Sequence, residues 1–122
     1  MEQHKTRIAI HRMGKLRIYL RAKDKVSPDG LWKKMFPVST YRHVITEAKK
    51  AGITNASAFP THMGYTKDSR VQQATLESGN SHMTLCVELI DERDRLERFF
   101  LTHKHLFRDK LVVYKEVEFW EY

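Results

Sequence analysis

His62 and His82 bracket a polar stretch, MGYTKDSRVQQATLESGNSH, which runs from Met63 to His82. Two imidazoles meeting at its base would supply half of a tetrahedral metal site, and no third ligand stands beside them. A metal is therefore not expected. His103 and His105, in HKH, point to different sides of a helix and cannot readily chelate together. Cys86, the one cysteine, lies mid-strand in MTLCVELID, where it is expected to be an inert apolar residue at a subunit contact. Asp91, Glu92 and Asp94 could pair as acid and base, but a capped, acidic first turn of a helix accounts for them more simply. Gly-x-Ser-x-Gly, His-Glu-x-x-His and phosphate-loop motifs are all absent. No catalytic residue is assigned, and the reading is a binding protein rather than an enzyme.

These residues hang on a regular alternation of elements. KLRIYLRA places Leu16, Ile18 and Leu20 on one face of a strand and Arg17, Tyr19 and Arg21 on the other. Pro28, Asp29 and Gly30 give turn chemistry, and Pro37 bars a continuous helix through the segment 26–36. A helix is expected from Ser39 as N-cap to a stop at Gly52, with Tyr41, Val44, Ile45 and Ala48 as its stripe. A second strand spans about Ile53 to Thr61, and a third carries Met83, Leu85, Val87 and Leu89 inward. Asp91 is expected to cap a second helix that buries Leu96, Phe99, Phe100, His103, Leu106 and Phe107. Lys110 to Tyr122 closes the sheet. The order β-α-β-β-α-β is ferredoxin-like, an α+β sandwich of one antiparallel sheet with two helices on one face.

Charge and length bound the partners. The 122 residues make one domain, 1–122, with a basic N-terminal extension over 1–14, and the formal charge of +7 favours acidic partners. No apolar run approaches bilayer length, and MEQHKTRIAI lacks the apolar core of a signal peptide. With a lone cysteine, a cytoplasmic setting is expected. The sheet face without helices is expected to carry Tyr19, Ala56, Ala58, Cys86, Ile90, Val112, Tyr114, Trp120 and Tyr122. So apolar a face calls for self-association.

The pieces LRIYL, AKKAGITNASA, GYTKDSRVQQATL, MTLCVELID and VEFWEY, at their spacing, resemble the PII-like proteins of domain-of-unknown-function family 190. The resemblance implies a homotrimer whose sheets face inward and a small, anionic or nucleotide effector in the clefts between subunits. An adenine nucleotide is the candidate ligand. It also implies that 63–82 is a T-loop, a mobile segment that touches a target protein, with a membrane transporter or channel as the regulated partner. Matching positions make Gly64, Tyr65, Lys67, Ser69 and Arg70 the ligand-binding candidates, Arg70 as a bidentate phosphate donor. The chain departs from the family at Pro60-Thr61, at Thr66 and at Arg108-Asp109-Lys110, where relatives often carry glycine, and at the longer segment 26–36. The rival reading is a nucleic-acid-binding module on an open ferredoxin-like sheet. Tyr19 offers a base platform there, but MTLCVELID has no aromatic residue, so nucleic acid is not the expected partner.

Overall fold

The computed structural model describes residues 7–27, 37–65, 70–73 and 83–122. Strand β1 (Ala9–Arg21) alternates buried and half-buried positions, with Leu16, Ile18 and Leu20 in the core. It begins well before Lys15, so part of the expected N-terminal extension is strand. A turn at Asp24 leads into β2 (Lys25–Val26), which pairs with β3 (Val38–Ser39). The segment 28–36, with Trp32 and Phe36, lies outside the described residues. Helix α1 (Thr40–Lys50) starts after Ser39 as expected, although the Ser39 side chain makes no capping bond. The first helical amide, that of Thr40, donates to the carbonyl of Asp24 at 2.8 Å instead. Gly52 ends the helix at φ 79°, where glycine has no steric penalty, and the Ile53 amide folds back onto the Ala48 carbonyl at 3.0 Å.

β4 (Asn55–Pro60) is followed by β5 (Met63–Gly64), which pairs with β6 (Gln72–Gln73). Next come β7 (Thr84–Asp91), helix α2 (Arg93–Thr102), a short 3-10 helix (Lys104–Phe107) and β8 (Leu111–Glu121). The main sheet has the order β4-β7-β1-β8 with every pairing antiparallel. This is the expected ferredoxin-like sandwich. Val44 and Ala48 of α1 and Leu96 and Phe99 of α2 pack on Leu16, Ile18, Val87 and Leu89 of the two central strands. Burying a side chain of this size stabilises by about 1.5–3 kcal/mol, so this single layer of contacts holds the helices on the sheet.

Three expectations need correction. Asp91 is the last residue of β7, and Glu92 occupies the cap position of α2. Helix α2 stops at Thr102, so Leu106 and Phe107 reach the core from the 3-10 helix. The open sheet face is also composed differently. Val112 lies opposite Ile18, Tyr114 opposite Leu16, Ala56 opposite Leu89 and Ala58 opposite Val87. Directly opposed residues share a face, so these four belong to the helix side. Trp120, opposite Ile10, follows the same phase on a ribbon that runs beyond β7, and Tyr122 lies past the strand end. Tyr19 and Cys86 are opposed, and with Phe59, Leu111, Val113 and Phe119 they form the true open face. β8 is apolar at both parities, so only its pairing partner fixes which set faces the helices.

Candidate functional site

The first strand ends where the last begins, and the two turns there make a cleft of about 870 Å3. Tyr19, Leu20 and Arg21 come from β1, and Asp24 from the following turn. Tyr65 comes from just beyond β5, and Arg108, Asp109, Lys110 and Leu111 from the approach to β8. The turn into β8 has its own local logic. The Lys110 amide donates to the Phe107 carbonyl at 3.1 Å, which forces the backbone through the left-handed region at Asp109, φ 62°. Asp tolerates that conformation better than most residues, and glycine tolerates it best. The turn thereby presents Arg108 and Lys110 on either side of a tight bend.

The cleft is electrostatically mixed. Asp24 Oδ2 accepts the Arg21 amide at 3.0 Å and the Lys110 ammonium at 3.3 Å, while Arg21 Nε stands 3.6 Å from Oδ1. Tyr65 is 69% exposed, so its ring is free to lie against a flat ligand.

Of the expected ligand residues, the structure brings only Tyr65 to this cleft. Gly64 sits in the β5–β6 pairing opposite Gln72, with open space where a side chain would be. Arg70 is exposed just ahead of β6. Lys67, Ser69 and His82 lie outside the described residues, so the His62–His82 pair does too. His62 itself is exposed. Among the described residues no group of three His, Cys, Asp or Glu side chains could hold a metal. Arg21, Asp24, Arg108 and Lys110 are the residues that sequence reasoning missed. The replacement of a glycine-rich stretch by Arg108-Asp109-Lys110 was the available signal.

The open sheet face offers a second polar feature. Arg17 Nε donates to Glu88 Oε2 at 2.9 Å, and Lys15 approaches the same carboxylate at 3.8 Å. Beside them, burial pushes the Cys86 thiol up, with Arg17 lowering it, Glu88 raising it and Tyr19 lowering it. An elevated thiol pKa leaves little thiolate at neutral pH, so Cys86 is packing rather than nucleophile.

A family model described as "Uncharacterized ACR, COG1993", the DUF190 family, matches residues 13–119. The chain belongs to the DUF190 family. The DUF190 chain is 29% identical over 80 residues to a UPF0166 protein of Aquifex aeolicus (strain VF5), an alignment covering 64% of this chain and 73% of that one. Its fold is similar to that of CPII, a nitrogen regulatory PII-like protein from Thiomonas intermedia K12 solved with ADP, AMP and bicarbonate. That match has a TM-score of 0.60 at 11% identity and covers 91% of each chain. A PII-like signalling protein from Thermus thermophilus has a TM-score of 0.53 at 13% identity, covering 92% of this chain and 91% of that one. The fold is therefore PII-like. Among the described residues, no helix is long and apolar enough to cross a membrane.

Proposed function

We propose that this DUF190 protein is a PII-like signalling and regulatory protein rather than an enzyme. It works as a cytoplasmic homotrimer that senses a small anionic ligand, an adenine nucleotide first among the candidates. The ligand sits in the cleft at the junction of β1 and β8, completed by a neighbouring subunit, and Arg70 and Lys67 supply charge from the 63–82 segment. That segment also contacts the target protein, for which a membrane transporter or channel is the candidate. The observation that carries this reading is the cleft itself, where Arg21, Arg108 and Lys110 converge beside the exposed ring of Tyr65. Cations fix a phosphate and an aromatic face stacks a base. The ADP, AMP and bicarbonate bound by CPII make these compounds the natural probes.

The open face supports the trimer. Phe59 and Phe119 are 41% and 46% exposed, and Leu111 63%, on the side that no helix covers. The test combines native mass with calorimetry. Light scattering should give three times the 14.5 kDa chain mass, and ADP or AMP should bind once per chain. A stable monomer that takes up none of ADP, AMP or bicarbonate would overturn the reading.

A further inference from the structure

The cations of the cleft are not equally available to a ligand. Lys110 and Arg21 are both turned toward the Asp24 carboxylate, at 3.3 Å and 3.6 Å. Arg108 makes no ion pair among the described residues. Three cations therefore face two carboxylates, Asp24 and Asp109, and Asp24 holds two of the three.

Asp24 is also fixed in place. Its own amide donates to the Arg21 carbonyl at 3.0 Å, its carboxylate accepts the Arg21 amide at 3.0 Å, and its carbonyl accepts the Thr40 amide at 2.8 Å. The turn is thus bound to the end of β1 on one side and to the start of α1 on the other. A carboxylate held by its backbone on both sides cannot swing out when an anion arrives.

We propose that Asp24 is a specificity-determining residue, a built-in counter-anion that biases the cleft toward nucleotides with one phosphoryl group and against polyphosphates. The proposal rests on the cleft being the ligand site, as in the function proposed above. A phosphoryl oxygen reaching Lys110 or Arg21 must share them with Asp24, and the carboxylate repels it at close range. Each additional phosphoryl charge meets the same repulsion, so the penalty grows with ligand charge. A monophosphate can engage Arg108 alone and leave the Asp24 pairs intact.

The test is calorimetric titration of AMP and of ADP into the full chain, for wild type, Asp24→Asn and Lys110→Met. Asparagine keeps a side-chain oxygen for the Arg21 amide, so the turn retains its bond. The wild type should bind AMP at least as tightly as ADP. Asp24→Asn should tighten ADP by about three- to tenfold, the scale of a released partly exposed ion pair, and AMP by less. Lys110→Met leaves Asp24 with one cation fewer and should weaken ADP more than AMP. An ADP-to-AMP affinity ratio unchanged in both variants would overturn the proposal, as would a loss of both nucleotides in Asp24→Asn. Should Asp24→Asn fail to fold, the ratio in Lys110→Met decides alone. Failure of wild type to bind either nucleotide would remove the ligand site itself, whereas binding with an unmoved ratio removes only the role of Asp24.

Discussion

The ring of Tyr114 lies directly over the backbone of Gly14. A Cβ built on Gly14 would stand 2.5 Å from Tyr114 Cε1 and 2.7 Å from its hydroxyl oxygen. The ring is held from the other side by the Arg93 guanidinium, whose carbon sits 4.9 Å from the ring centroid. Gly14 is also the point where β1 leaves β7, opposite Asp91, and continues as a ribbon with β8 alone. Gly14→Ala should therefore cost about 1–3 kcal/mol, the usual range for overpacking, read from urea unfolding. Pairing it with Tyr114→Leu should recover part of the loss. Additive losses in the double variant would show that the two residues do not compete for the same space.

Asp91 fastens two connections at once. Its Oδ2 accepts the Thr54 amide at 3.0 Å ahead of β4, and its Oδ1 accepts the Glu92 amide at 2.7 Å ahead of α2. Arg95 Nη1 lies 3.4 Å away, and the Asp91 side chain is 2% exposed. Asp91→Ala should destabilise by about 2–4 kcal/mol, because buried donors lose their acceptor. Asp91→Asn, which keeps one oxygen, should lose less. Thermal unfolding of the two variants checks the order, and an alanine variant as stable as wild type would contradict it.

Arg70 is expected to serve the ligand and not the fold. Arg70→Ala should weaken ADP binding by roughly one to two decades, as for loss of a charge-assisted hydrogen bond of about 1.5–3 kcal/mol. Its stability should change by only about half a kcal/mol. Arg7→Ala is the control, since Arg7 is exposed ahead of β1 and lines no part of the cleft. Equal losses from the two substitutions would indicate diffuse electrostatics and favour a nucleic-acid partner. No loss from Arg70→Ala would remove it from the site.

His103 gives the fold an acid sensitivity. Burial lowers its pKa from 6.5, His105 and His43 lower it further, and Glu47 opposes them. A depressed folded pKa means that the unfolded chain binds the proton first. The stabilising contribution is present in full above pH 6.5 and is lost as the pH falls through the depressed folded value. His103→Gln should lose less stability than wild type between neutral and mildly acidic pH, measured as the shift in urea midpoint. A midpoint difference constant across that range would rule this out.

Much of the fold was legible because its central elements each bury one face. Leu16, Ile18 and Leu20 alternate cleanly, and Val44, Ala48 and Gly52 mark both the stripe and the end of α1. The phase of β8 was not legible. Val112 and Val113, or Phe119 and Trp120, put apolar side chains on successive positions, and alternation then carries no information. Residues 9–14 escaped for the opposite reason, since AIHRMG shows no period at all and is strand only through its pairing with β8. In the site, Tyr65 was found through resemblance to a family motif. Arg21, Asp24 and Lys110 are ordinary surface charges in sequence, and the bond that makes them a site joins positions 86 apart.

That same long-range pairing shapes how the chain is made. β1 is a central strand, yet one of its two edges is closed only by β8, with Ala9 opposite Glu121. During synthesis at about 5–20 residues per second, a nascent chain carrying β1 waits several seconds before its last neighbour leaves the ribosome. Through that interval an open, Ile- and Tyr-bearing strand edge is available to other nascent chains. The charges at Arg12, Lys15, Arg17 and Arg21 along β1 then act as guards against premature cross-pairing, at a stage when no trimer and no ligand yet exists.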